Sequence, residues 1–494
     1  MNTLVGDFTS VTGARLGTLV LGLVSVILTA RLLSPAGYAV IAYMTLGATL
    51  MLFMAAGWSG AAVMRYGREE LERTGTMQRT AWARFAMTVP ILILVSAALL
   101  GLKAGDVLPE EFTWTFVWLT LWLGVFTVVG EQLLVVLDAS GRMRISARAA
   151  AGRQALLVAG LLVIAISGSG QSTLTVAWLT LGVAALLTIG LVVPLRQLVL
   201  RRPRLDRPQL RRILLFSLPL IAFSASQYGM RSVDIVVLRA YRPASDVGVY
   251  ALAYQSYMML QMLATTATIV LIPLFVSLHE AGRSELIVRY FERLVPQGVF
   301  AASVVGGLLA PLVSVAVPLI FGSSFADAAR PLSLLAAALV LFTIASLLAP
   351  ILMLYERTGE TSVINAVALA VNVAGDLVLV GWLNVGIEGP AIATVAALGV
   401  IVYGYFLVAR RDLETPLVPP LVLLLPLVAA VLPAVLLPTT VGVPLGLAGA
   451  MAVAALVLWR VPLFSEQDAE LIARLDLPAG LRERVPVAIR WLAR

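Results

Sequence analysis

Apolar runs of bilayer length follow one another from near the start of this chain to about residue 463, and nothing else in the sequence constrains its fold as much. A hydrocarbon core needs ~20 apolar residues per helix. On that ruler the runs lie at 11–32, 37–62, 81–102, 113–137, 149–168, 173–194, 213–238, 247–278, 294–320, 331–354, 361–382, 390–408, 418–437 and 445–463. Lipid offers the backbone no hydrogen bonds, so runs of this length are expected to be helices. Only 13% of the residues are charged, against ~25% in soluble domains. The chain is read as an all-α polytopic membrane protein with about 14 transmembrane helices. The opening "MNTLVGDFTS" lacks a basic stretch, so the run from Val11 is expected to stay as a span and not to be cleaved as a signal.

Charge sets the expected orientation. With a cytoplasmic N-terminus, every second loop and the tail hold 27 of the 35 Lys and Arg residues. They include Arg65–Arg79, Arg142–Arg153, Arg196–Arg212 and the segment from Arg460. That asymmetry places both termini in the cytoplasm of a cell inner membrane. The net charge of +8 is therefore read as topology, with no nucleic-acid partner. There is no cysteine and one histidine, His279, which is expected in a solvated loop. No carboxylates cluster on a large outer loop, and no G-x4-G-K-[ST] motif occurs. Catalysis, ATP hydrolysis and a bound cofactor are not expected.

An internal repeat organises the spans. Arg31-x3-Pro35-Ala36 followed by Gly37-x4-Ala42-Tyr43 returns 208 residues later as Arg239-x3-Pro243-Ala244, then, after three inserted residues, Gly248-x4-Ala253-Tyr254. The same offset pairs Phe8 with Phe216, Ala14 with Ala222 and Ile27 with Ile235. Six spans separate the copies, so both enter the membrane from one side as parallel repeats. The expected domains are a six-helix lobe at 1–212, a second at 213–411, two further helices at 412–463 and a cytoplasmic tail at 464–494. The repeated Arg-Pro-Gly element is either a helix-hairpin corner, with the proline stopping the helix, or a pair of cations, Arg31 and Arg239, at the rim of a cavity.

The segments "ARLLSPAGYAV", "SVDIVVLRAYRPASDVGVYALAY" and "NAVALAVNVAGDLVLVGWLNVGIEGPAIAT", in this order, resemble the polysaccharide-biosynthesis flippases. These are Wzx-type exporters of the multidrug/oligosaccharidyl-lipid/polysaccharide superfamily. The resemblance runs from about residue 5 to 410. It implies two lobes that rock between inward-open and outward-open states. It also implies an anionic oligosaccharide on an undecaprenyl diphosphate carrier as cargo, with membrane lipids as surroundings and the chain working as a monomer. Two relatives in the superfamily stay open as alternatives, a cation-coupled drug antiporter and a peptidoglycan-precursor flippase.

Ionisable groups inside spans are costly, so each one needs a reason. In the seventh span Gln227, Arg231 and Asp234 share a helix face. Arg231 and Asp234 either close on each other, or Asp234 tunes an Arg231 that meets a diphosphate or acidic sugar, which suits a planar guanidinium. Arg15 and Arg84, near the starts of the first and third spans, either snorkel to the interface or form a basic cytoplasmic mouth. Gln255, Gln261, Asn365 and Asn372 suit sugar hydroxyls or interhelical bonds equally. Asp376 and Glu131 are candidates for coupling to H+ or Na+.

Overall fold

The computed structural model describes residues 2–168, 172–199, 206–416 and 421–463. Part of the expected Arg196–Arg212 loop and the whole tail from Phe464 lie outside them. Among the described residues there is no strand. The longer helices are α1 (Asn2–Leu32), α2 (Pro35–Ala55), α3 (Gln78–Ala104), α4 (Trp114–Ala139), α5 (Met143–Ser167), α6 (Thr173–Val199) and α7 (Arg207–Tyr241). They continue as α8 (Ala244–Glu280), α9 (Val295–Phe321), α10 (Ala329–Leu354), α11 (Thr358–Asp376), α12 (Glu388–Asp412), α13 (Leu425–Leu436) and α14 (Thr439–Arg460). Among the described residues, ten helical stretches are long and apolar enough to cross a bilayer, and Gly17–Leu32 and Leu421–Leu436 are shorter apolar ones. The chain is an all-helical, multi-pass membrane protein.

The repeated corner forms in a way the sequence only half suggested. Proline does not stop α1; it opens α2. Ser34 caps that helix by accepting from the Gly37 amide at 3.2 Å, and Pro35 takes the first turn, where no amide hydrogen is needed. In the second copy Pro243 stands immediately before α8.

The run at 37–62 is not one helix. α2 ends at Ala55, a 3-10 turn covers Gly57–Ser59, and a π-helical stretch covers Val63–Gly67. A second π stretch, Leu377–Trp382, follows Asp376 at the end of α11.

Contacts divide the chain into two compact units. The first contains Met1–Met259, Ile320–Ala328 and Leu369–Pro390. Its apolar core joins α2, α4, α5 and α6 through Met44, Met51, Leu123, Leu161 and Leu181. The second contains Leu260–Leu319, Ala329–Ala368 and Ala391–Arg494. Phe291 packs on Phe406 there, with ring centroids 5.1 Å apart. At the end of α12, Asp412 receives a two-pronged bond from Arg357, at 2.9 and 2.8 Å.

Candidate functional site

The first unit holds a cavity of about 340 Å³. α1 contributes Ser25 and Thr29, α2 contributes Thr45 and Thr49, α7 contributes Tyr228 and Arg231, and α8 contributes Tyr254 and Gln255. The hydroxyls follow from i, i+4 spacing on α1 and α2, which puts each pair on one helix face. Each of them donates back to its own helix: Ser25 to the Gly22 carbonyl, Thr29 to Ser25, Thr45 to Ile41 and Thr49 to Thr45. Their hydrogens are therefore occupied, and their lone pairs remain to accept from a guest.

Arg231 is the one charged side chain among the wall residues. It stands ten residues before the end of α7, about 15 Å along the helix. It is exposed to the cavity and makes no hydrogen bond or ion pair among the described residues. The closed Arg231–Asp234 pair does not form. Asp234 is buried, and the Tyr250 hydroxyl of α8 donates a short hydrogen bond to it. Sequence reasoning passed over Tyr250; helical phase within one span gives no sign of a partner on the next.

Beside that pair stands Asp376, fully buried and within Coulombic reach of Asp234 and Tyr250. Among the described residues neither of its carboxylate oxygens meets a hydrogen-bond donor, nor does either side-chain polar atom of buried Asn372 meet a partner. Asp234, Asn372 and Asp376 thus form a buried acidic cluster in the first unit.

Arg84 follows neither expectation. It is only 1% exposed, so it neither snorkels nor lines the cavity. Its Nη2 donates to the Ala56 carbonyl and its Nε to the Ser59 hydroxyl, both at 3.0 Å. At the break after α2 the Ala56 carbonyl already accepts from the Ser59 amide at 3.1 Å and the Ser59 hydroxyl at 3.0 Å, and the guanidinium adds a third, charged donor that ties α3 to the turn. Gln132, buried on α4, donates to the Thr88 hydroxyl at 2.8 Å and secures the neighbouring turn of α3. Glu131 is half-buried within Coulombic reach of Arg84 and Arg153. Arg153 was expected in a cytoplasmic loop; it is exposed ten residues into α5, and its place in a charge run concealed it.

The remaining candidates separate. Gln255 lines the cavity, whereas Gln227 is half-buried outside its wall. Asn365, in the second unit, donates to the Tyr405 hydroxyl at 2.9 Å, an interhelical bond. Gln261 is half-buried in that unit as well. Arg31 donates to the Ile320 carbonyl at 2.7 Å, and Arg239 pairs with Glu111 at 3.0 Å. The side chain of Arg15 lies outside the described residues. His279 is exposed, but it lies in the last turn of α8 and not in a loop.

Comparison with known proteins places this geometry. The profile of the polysaccharide biosynthesis protein family matches residues 4–279. No curated protein matches. Among solved structures, the lipid II flippase MurJ in an inward closed conformation is similar, with a TM-score of 0.69 at 12% identity over 91% of this chain and 99% of that one. An inward-facing multidrug resistance MATE transporter of the MOP superfamily gives a TM-score of 0.57 at 16% identity, over 81% and 94%. A MOP superfamily transporter from Pyrococcus furiosus, described as having a binding pocket of reverse polarity, gives 0.51 at 15%, over 82% and 95%. At such identities the likeness is one of fold. The profile match, by contrast, spans more than half of the sequence, and the chain therefore belongs to the polysaccharide biosynthesis protein family.

Proposed function

We propose that this protein is a Wzx-like flippase. It moves an anionic, lipid-linked oligosaccharide from the inner to the outer leaflet of the cytoplasmic membrane by alternating access. One observation carries the reading: an unpaired guanidinium in a cavity otherwise walled by hydroxyls, an amide, aromatic rings and aliphatic groups. A diphosphate cannot cross hydrocarbon bare. Arg231 offers it a charge that never titrates away and a planar fork for its oxygens. The Ser and Thr lone pairs suit sugar hydroxyls, and Tyr228 and Tyr254 offer faces to sugar rings.

The frame of this reading is fourteen spans, two parallel six-helix lobes at 1–212 and 213–411, an added pair at 412–463, and cytoplasmic termini. The likeness to MurJ reaches 91% of the chain against 81% for the MATE transporter, a difference of about fifty of 494 residues. That is about the size of the added pair, which supports a lipid cargo over a drug. A cationic drug would also want a carboxylate in the wall, and among the described wall residues there is none. A peptidoglycan-precursor flippase would use the same chemistry, so cells that depend on each route must separate the two. Asp376 with Asp234 is the preferred seat of ion coupling, and Glu131 the second.

The test replaces Arg231 in cells where this protein is the sole export route and measures surface polysaccharide. Arg231→Ala is expected to lower export at least tenfold at normal protein level. Arg231→Lys retains the charge without the fork and is expected to recover part of it. Normal export by both variants would overturn the assignment.

A further inference from the structure

The repeated arginines do more than turn a corner. Arg31, at the end of α1, donates through Nε to the Ile320 carbonyl at the end of α9, at 2.7 Å. Arg239, its counterpart at the end of α7, pairs through Nη2 with Glu111 in the α3–α4 loop at 3.0 Å. Each arginine thus leaves its own copy of the repeat and grips the other. The points gripped correspond as well: the 208-residue offset carries Glu111 to position 319, one residue short of Ile320. Each tie is backed by an edge-on aromatic contact, Tyr38 with Phe325 at 5.7 Å and Tyr43 with Phe112 at 6.3 Å. The Tyr43 hydroxyl, buried without a partner, lies within Coulombic reach of both Arg239 and Glu111. All these residues belong to the first unit.

We propose that Arg31 and Arg239 form a reciprocal catch, held across the repeat, that keeps this end of the transport path shut until both ties part. The proposal rests on the alternating-access reading and adds its gate. A corner brace would join each arginine to its own hairpin alone; Arg239 does donate through Nη1 to the Arg242 carbonyl of its own corner at 3.2 Å, but both arginines also reach across to the other copy, which is what a closure between two moving halves requires. The two ties are chemically unequal. Arg31 grips a backbone carbonyl that no side-chain substitution removes, whereas Arg239 grips a carboxylate and can be switched by charge. Both are partly exposed, so each is weak enough to break in a transport cycle.

The natural absence of cysteine makes the test direct. Thr45→Cys places one thiol in the cavity wall, and a membrane-impermeant thiol reagent is applied to the outer face of intact cells. No cargo is needed, so the catch can fail while export still succeeds, and the export assay of Arg231 variants can fail while the catch holds. Removing either arginine, by Arg31→Ala or Arg239→Ala, is expected to raise the labelling rate about two- to fivefold, the range of a partly exposed ion pair. The double variant is expected to exceed either. Glu111→Arg should mimic Arg239→Ala, and adding Arg239→Glu to it should restore slow labelling. Unchanged labelling in the double variant at normal protein level would overturn the catch. Where the alanine variants fail to reach the membrane, the charge exchange decides: fast labelling in Glu111→Arg that persists after Arg239→Glu is added would overturn it too.

Discussion

A buried guanidinium is the most demanding side chain in this molecule, and Arg84 meets the demand through a defect in another helix. The turn that follows α2 brings the Ala56 carbonyl and the Ser59 hydroxyl together, and Arg84 brings a donor to each. Arg84→Met keeps much of the volume but removes both charge-assisted bonds, while the Ala56 carbonyl still accepts from the Ser59 amide and hydroxyl, at a cost of roughly 1–3 kcal/mol. The melting temperature of the purified protein in detergent should fall by several degrees; an unchanged value would remove Arg84 from this role. Arg84→Lys should fall in between, because an ammonium cannot reproduce the fork. The chemistry of these residues was legible in the sequence, but their partners were not. Arg231, Asp234 and Asp376 announced themselves as ionisable groups in apolar runs. That Asp234 turns to Tyr250 while Arg231 stays open depends on how α7 packs on α8. Arg153 shows the opposite error, since a charge run near a span's start reads as loop even when its last member stands well inside the helix.

At the level of helices, the sequence located the runs and their corners, and it treated the two copies of the motif as equals. Packing makes them unequal. A methyl group on Gly248 would be driven into the Pro35 carbonyl, with the Ala39 amide nitrogen 3.2 Å away; both are backbone atoms and cannot step aside. At Gly37 the obstruction is the Thr173 hydroxyl, a side chain free to change rotamer. Gly248→Ala should therefore cost about 1–3 kcal/mol of overpacking and Gly37→Ala clearly less. Thermal unfolding of the two variants side by side measures the difference, and equal melting temperatures would refute it. The break after Ala55 was hidden for a physical reason: no proline marks it, and the Gly57–Gly60 stretch that makes it sits inside an otherwise apolar run. Hydropathy reports which solvent a segment prefers, not whether its hydrogen-bond ladder is intact.

For the whole molecule, the repeat and the charge asymmetry conveyed the scheme of a transporter, but the energy source had to be sought in a place where burial and charge conflict. Asp234 and Asp376 lie close together out of water, with Asn372 one helical turn before Asp376 and the Tyr250 hydroxyl donating to Asp234. Two bare carboxylates in such surroundings repel each other and lack solvation. The cluster therefore needs a cation or a shared proton to be stable, and on the proposed reading that need would couple an ion gradient to movement. A bound cation stabilises the folded chain by an amount that grows with the logarithm of its concentration over its dissociation constant, about 2.7 kcal/mol at a hundredfold excess. If Na+ is the ion, replacing choline by Na+ at constant ionic strength should raise the melting temperature of the wild-type protein, and Asp376→Asn should abolish the increment. If a proton is shared instead, Na+ will have no effect, and acidification will raise the wild-type melting temperature more than that of Asp376→Asn. Stability insensitive to both ions, or equally sensitive in the variant, would detach this cluster from coupling and turn attention to Glu131, which faces Arg84 and Arg153. The cation arm is the more informative of the two. Asn372 adds a neutral oxygen to the carboxylates, and a metal cation can use such an oxygen where a shared proton has no need of it.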